Sequence, residues 1–405
     1  MRTRVLVLGA NFGGMTAALG VKNDLGAQVD VVVVTPDDHF VFTPSLVWLP
    51  FGRRHRDDLT FPVRPTLESH GIELVKAAAV AVDPVGHQVT LDSGRVLDFD
   101  YLVVATGTRP DDVVPGVAEH ACTITDLAGA ERCATAWRRL LREPGDVVVA
   151  ATQGSTCFGA AYEFLLDTAY HLDRAGLRHQ VRLTFVTPEP YVGHLGPGGP
   201  GGPGAPGVAA WDPVPLERFL DRAGIETRTA AAIDHVDRDA VVLDDGEALR
   251  FTFSMVVPPF AGQDFLREAD GLSDDHGLVL VRDTFQSEKY DDVYAVGAAA
   301  AVDAPWQEPV PAGPRRHGLP TEVMAQTAAL NIASQVRGAS PTTSLPFADT
   351  TTTWRTGPDG PDGPDPAPGP RRHGAHVPGA RLHRLRVGFE RYSLWKMRHG
   401  HVNLV

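Results

Sequence analysis

The chain is 405 residues long, 43% hydrophobic and 21% charged, with a formal net charge of −13. That length exceeds one ordinary core and fits two domains with a tail, and the acidic balance excludes a general nucleic-acid binder, which needs a basic face for phosphates. Three cysteines, Cys122, Cys133 and Cys157, are too few and odd in number for a secreted disulfide framework, so a reducing, cytoplasmic setting is expected.

The N-terminus runs directly into a strand without the pattern of a cleavable leader, and no apolar run is long enough to cross a bilayer. Val5-Leu6-Val7-Leu8 reads as a buried parallel strand ending at Gly9, Met15 to Val21 as a helix, and Val29 to Val34 as a second strand. Together they make a βαβ unit. Lys76 to Val82 and Val89 to Leu91 look like a small β excursion, and Tyr101 to Val104 is another buried strand. Ala130 to Leu141 predicts a helix in which Cys133 is a packing residue. A second unit follows: strand Val147 to Ala150, loop Gly154 to Gly159, helix Ala160 to Leu172 and strand Val181 to Val186. Met255 to Val257 and Val293 to Val296 are later strands, and Thr321 to Gln335 is a helix. Gly196 to Gly207 and Gly357 to Gly379 are Gly/Pro-rich and are expected to be mobile loops. Arg381 to Val405 mixes apolar residues with arginines and predicts an amphipathic helix, packed on the parent domain in preference to a membrane surface. Lysine is confined to Lys22, Lys76, Lys289 and Lys396 while Arg, Ala, Gly and Pro abound, a high-GC coding bias read as bacterial.

Gly9-Ala10-Asn11-Phe12-Gly13-Gly14 joins the first strand to the first helix. It is a dinucleotide-binding turn, with Asn11 where a second glycine is usual. The first glycine permits the turn and the last lets helix and strand approach, so that backbone N–H groups at the helix start face a pyrophosphate. An acidic residue normally ends the second strand to hold the ribose; Thr35 stands there, followed by Asp37 and Asp38. Ala105-Thr106-Gly107 after one strand and Tyr294-Ala295-Val296-Gly297 at the end of another add the pattern of a flavin domain, although Ala298 replaces the usual aspartate.

The second unit is a poor nucleotide site. Ala151-Thr152-Gln153 replaces the early glycine, and Cys157 sits at the helix start. A helix N-terminus favours thiolate, so Cys157 reads as a reactive thiol placed where a cofactor would otherwise lie.

These residues resemble the sulfide:quinone oxidoreductases over almost the whole chain. The resemblance rests on the opening turn with Met15, Phe40-Val41-Phe42-Thr43-Pro44-Ser45 with Trp48, Cys122-Thr123, Cys157-Phe158-Gly159-Ala160-Ala161-Tyr162-Glu163, Glu189-Pro190-Tyr191-Val192-Gly193-His194, Phe347-Ala348-Asp349 and Phe389-Glu390-Arg391-Tyr392. The family oxidises sulfide with a cysteine pair on one face of FAD and passes electrons to quinone on the other. The resemblance therefore implies Cys157 as one essential cysteine, Cys122 as an accessory one, Glu163 and His194 on the sulfide side, and Phe347, Phe389 and Tyr392 as an aromatic quinone pocket. The second essential cysteine should precede Phe347, and Pro346 stands there.

The expected fold is α/β, with two Rossmann-like dinucleotide-binding domains and a C-terminal region. Residues 1–125 and 270–340 form the FAD domain, 126–269 the second unit, and 341–405 the tail. FAD is expected on Gly9, Asn11, Phe12, Gly13, Gly14, Thr35, Pro44, Ala79, Ala105, Thr106, Gly107 and Gly297, and no metal is expected. The expected activity is an FAD-dependent oxidation of sulfide, a persulfide or another small molecule, altered by the loss at position 346. The acceptor is left open between quinone, oxygen and another protein, membrane contact is at most peripheral on the inner face, and a homodimer is left open. A working sulfide:quinone reductase that pairs Cys122 with Cys157, and a non-catalytic FAD-binding protein, are the alternatives.

Overall fold

A computed structural model of the protein describes residues 2–194, 213–302, 319–344 and 379–402. Pro346 and Phe347, and the whole of Gly196 to Gly207, lie outside them; of Gly357 to Gly379 only the last residue is described. In chain order the elements that position the site are β1 (Thr3–Leu8), α1 (Phe12–Leu25), β2 (Val29–Thr35), β3 (Glu73–Lys76), β4 (Tyr101–Val104), α2 (Leu127–Leu140) and β5 (Val147–Ala151). They continue with α3 (Phe158–Arg174), β6 (Leu183–Val186), α4 (Pro213–Arg222), β7 (Ile225–Arg228), β8 (Phe253–Val257), β9 (Val293–Ala295), α5 (Leu319–Val336) and α6 (Gly379–Arg398).

Two parallel sheets organise the chain. The first has the order β9-β4-β1-β2-β3, and the second β7-β6-β5-β8. Their central strands are runs of valine, leucine and alanine buried on both faces, as parallel sheets covered by helices require. The strand ends carry the turns, so both sites lie at the carboxyl edges of the sheets, where open α/β folds bind ligands. Two antiparallel three-stranded sheets are attached. The one at Ala79–Asp83, Gln88–Leu91 and Val96–Asp98 matches the expected excursion. The other, at Ile233–Val236, Ala240–Leu243 and Ala248–Arg250, was not legible from periodicity, because its strands are three or four residues long.

The C-terminal helix α6 packs against the body of the molecule. Glu390, Ser393, Lys396 and Met397 are buried, and Phe389 and Leu394 pack against the core of the first sheet. Its end is held by the Thr66 hydroxyl donating to the Arg398 carbonyl (2.6 Å) and by Gln326 donating to the Val402 carbonyl (2.5 Å). Lys396 and Glu322 of α5 form a buried ion pair. Leu385, Tyr392 and Trp395 remain on the exposed side. Among the described residues no helix is long and apolar enough to cross a membrane.

Candidate active site

The first turn is shaped by close backbone packing. Gly9 has φ 106°, and a Cβ there would collide with the Ala105 carbonyl oxygen. A Cβ at Gly14 would collide with the Gly9 carbonyl oxygen, so helix α1 starts against the strand end. Gly13 faces Val296 and Ala105, and Gly297, at φ 67°, faces Thr321. The Gly9 N–H donates to the Val34 carbonyl (2.8 Å), which ties the turn to β2. Asn11 caps α1 through its backbone, and its side-chain oxygen accepts the Val41 N–H at 3.4 Å. No acidic residue occupies the first turn of α1. Its early amides have no intrahelical acceptor. The Thr106 hydroxyl is buried without a partner among the described residues, and Gly107 has φ 64°. These features fit a pyrophosphate and a flavin. Thr35 is buried, and its hydroxyl donates to the Asp37 carbonyl (2.7 Å), so only its lone pairs are left for a ribose. Pro44 is exposed in the short helix Thr43–Trp48, and Ala79 begins the antiparallel excursion.

The corresponding place in the second unit is filled by the chain itself. Gln153 donates to the Ile233 carbonyl (2.8 Å) and accepts the Ile233 N–H (3.0 Å), bridging the loop after β5 to the antiparallel sheet. Just beyond β6, where an acid would hold a ribose, Glu189 is fully buried. Its carboxylate accepts from the Tyr162 hydroxyl (2.5 Å) and the Thr187 hydroxyl (2.8 Å). Burial, together with the neighbouring carboxylate, pushes the Tyr162 phenol well up. Cys157 is the residue at which α3 opens, and its N–H points to the Ser155 hydroxyl at 3.4 Å.

One turn-spaced row on α3, Glu163, Asp167 and His171, meets a cluster of arginines around Trp48. The Trp48 indole N–H donates to Glu163 (2.9 Å), and Arg386 of α6 grips Glu163 with two donors at 2.6 and 3.1 Å. The guanidiniums of Arg386, Arg54 and Arg53 lie 4.5, 5.1 and 5.6 Å from the Trp48 ring centre, a cation–π arrangement. Arg53 pairs with Asp167 at 3.4 Å, and Arg54 with Glu390 at 2.8 Å. Three positive groups thus face three carboxylates in a part-buried setting, where charge-assisted bonds are stronger than on the surface. Burial first, then the Glu163 charge, raises Asp167 to about 7 against the pull of Arg53 and Arg386. Burial also lowers His171 to about 4.

Residues 3–150 match the family model for the pyridine nucleotide-disulphide oxidoreductases. The sulfide-quinone reductase of Aquifex aeolicus (strain VF5) is 31% identical over 409 residues, spanning 99% of this chain and 93% of that protein. The chain belongs to the sulfide-quinone reductase family. The crystal structure of the Aquifex aeolicus sulfide:quinone oxidoreductase superposes with a TM-score of 0.82 at 27% identity, covering 98% of this chain and 92% of that one. The mitochondrial sulfide:quinone oxidoreductase of Dictyostelium discoideum is 23% identical over 73% of this chain and 65% of its own length. The protein is therefore an oxidoreductase with the two-sheet fold of that family.

Within this sulfide-quinone reductase frame the expected residues are distributed unevenly. Glu163 is not an open acid or base: it is held by Trp48 and Arg386. His194 is buried, with its ring nitrogen 2.9 Å from the Tyr191 hydroxyl and the two rings edge-on at 4.9 Å. Phe389 reaches the first turn through Phe42 (6.3 Å), which packs on Phe12 (5.6 Å), whereas Tyr392 lies on the outer side beside Trp395 (6.2 Å). Cys122 forms a parallel bridge with Met255 of β8 and packs against the apolar cluster that contains Cys133 of α2. Cys133 is fully buried on the inner face of α2, a packing residue as expected. Sequence reasoning missed Arg53, Arg54, Asp167, His171, Arg386 and Glu390. The four-residue spacing Glu163-Asp167-His171 was a readable signal, but its arginine partners come from segments far along the chain.

Proposed function

We propose that the protein binds FAD at the first turn and uses Cys157 to oxidise a sulfur compound, either sulfide or a small thiol or persulfide, with quinone as electron acceptor. FAD supplies a two-electron acceptor when bound. Gly9, Gly13, Gly14, Ala105, Thr106, Gly107 and Gly297 would hold it: the glycines admit it without Cβ collisions, and the Thr106 hydroxyl offers an uncommitted hydrogen bond. The observation that carries the reading is the position of Cys157 at the start of α3, with the neighbouring nucleotide place closed by Gln153 and Glu189. A sulfur anion is stabilised at that helix end.

The FAD domain is assigned to residues 1–125 and 270–340, and the second unit to 126–269. Phe389 would pack against the quinone side, and the Glu163–Arg386 pair positions α6 beside the Trp48 segment. Loss of cysteine at Pro346 is expected to weaken sulfide turnover. A matched anaerobic assay of flavin bleaching by sulfide and of quinone reduction tests this in wild type, Cys157→Ser, Cys122→Ser and Pro346→Cys. Bleaching should require Cys157, and Pro346→Cys should raise turnover. Bleaching untouched by Cys157→Ser would overturn the assignment. Robust wild-type turnover abolished by Cys122→Ser would instead make Cys122 the replacement partner.

A further inference from the structure

We propose that Tyr162 is a positioning residue: its hydroxyl clamps helix α3 to the turn that carries His194, and the clamp limits access to Cys157 to small sulfur species. The inference rests on the reading of Cys157 as the reactive thiol. Strands β5 and β6 lie side by side in parallel register, with Ala150 opposite Val186. The loop leading to Cys157 and the segment Thr187 to His194 therefore leave the sheet at the same edge. Tyr162 comes five residues after Cys157, about 7.5 Å along the helix at 1.5 Å per residue. Its ring is buried against Phe185 of β6, with 4.7 Å between centres. Its hydroxyl makes two bonds to the β6 side: it donates to the Glu189 carboxylate (2.5 Å) and accepts the Gly193 N–H (2.7 Å).

Both partners of the phenol are shaped to receive it. Gly193 has φ 86°, in the left-handed region, and the His194 N–H closes the turn on the Tyr191 carbonyl (3.3 Å). A Cβ at Gly193 would come within 2.9 Å of Leu216 of α4, so the turn has no room to shift on that side. Glu189 is anchored in turn: its carboxylate accepts the Thr187 hydroxyl (2.8 Å) and its backbone carbonyl accepts the Ala230 N–H (2.7 Å). His194 follows Gly193 directly, buried, with Nδ1 2.9 Å from the Tyr191 hydroxyl. Burial and the neighbouring carboxylate push the Tyr162 phenol well up, which keeps on it the proton that Glu189 accepts.

The clamp has a consequence for access. Cys157 is part-exposed, so a small anion reaches it with the clamp closed. A bulky reagent has to move the turn, which breaks the Tyr162 bonds and takes from the buried Gly193 N–H its acceptor. The phenol thereby sets a size limit at the start of α3.

The test is the alkylation rate of Cys157 in the native full-length protein, read by peptide mass spectrometry for iodoacetamide and for a bulky maleimide. Each rate is divided by that of the unfolded chain. Wild type should prefer the small reagent by about tenfold, the factor of one buried hydrogen bond. Tyr162→Phe keeps the ring and should bring the preference close to unity, with faster exchange of the Gly193 amide. Gly193→Ala strains the turn from the other side and should give the same loss. The double variant should lose nothing further, because both changes act on one contact. A wild type without the preference, a preference kept in Tyr162→Phe, or losses that add in the double variant would overturn the proposal. None of these readouts needs flavin turnover, so failure of the Cys157 bleaching assay would remove the proposed oxidation and leave the clamp result to be judged separately.

Discussion

Asp167 and His171 sit one turn apart on α3 with opposite linkage to pH, and separating them tests whether the row around Trp48 is buried as described. Asp167 shifts from 3.8 to about 7, mainly through burial. Its folded pKa is raised, so the native state holds a proton that the unfolded chain has lost. Its contribution is complete below the unfolded pKa and disappears as pH rises through about 7. The shift corresponds to roughly 4 kcal/mol at about 1.4 kcal/mol per unit. His171 shifts the other way, from 6.5 to about 4. Its contribution is complete above the unfolded pKa and is lost as pH falls through the folded one. Because the ring is only part-buried, its nominal value of roughly 3 kcal/mol is halved, to about 1.5 kcal/mol.

Between about pH 4 and 6.5 the two slopes oppose each other, so their sum in the wild type is shallow. Asp167→Asn should leave the histidine slope, with stability rising over that window. His171→Phe keeps the ring stacked on Phe51 (4.8 Å, 3° between planes) and should leave the aspartate slope, with stability falling as pH rises towards 7. Thermal midpoints of the holoprotein measured at half-unit steps from pH 4 to 8 provide the assay. Parallel profiles for the two variants would refute the burial of the row.

At the first turn, Gly9→Val places a side chain against the Ala105 carbonyl at a positive φ and should release the flavin, read as loss of yellow colour at unchanged expression. NADH and NADPH should fail to reduce the flavin at turnover rates in stopped flow, because Gln153 and Glu189 spend their polar groups inside the protein. Arg386→Ala leaves Glu163 part-buried without its cation and should cost about 2 kcal/mol of stability, with α6 becoming the first segment to exchange its amides. Phe389→Ala should weaken short-chain quinone binding by about 1 kcal/mol or more without lowering flavin content, and unchanged quinone kinetics would remove Phe389 from the pocket.

The βαβ units were legible in the sequence because their signals are local. Val5 to Leu8 is an uninterrupted apolar run, Gly9 and Gly14 are spaced for a turn against a helix, and Val147 to Ala151 repeats the pattern. The degraded second turn was legible for the same reason, since Gln153 stands where a glycine would be needed. Element ends were less legible: α1 and α3 each extend beyond the apolar stretch that announced them, because packing carries a helix past its most periodic part. What the local pattern lacks is any record of which element lies across from which. Glu163 and Arg386 are 223 residues apart, and Arg54 and Glu390 are 336 apart. Their charges were visible, but their pairing arises only when α6 docks beside α3 and the Trp48 segment. Cys122 and Cys133 are closer in sequence, yet periodicity could say only that Cys133 faces a core; the parallel bridge of Cys122 to Met255 decides that this core contains another sulfur. Backbone turns are written in neighbouring residues, whereas charge pairs depend on packing between elements, which tertiary structure alone sets.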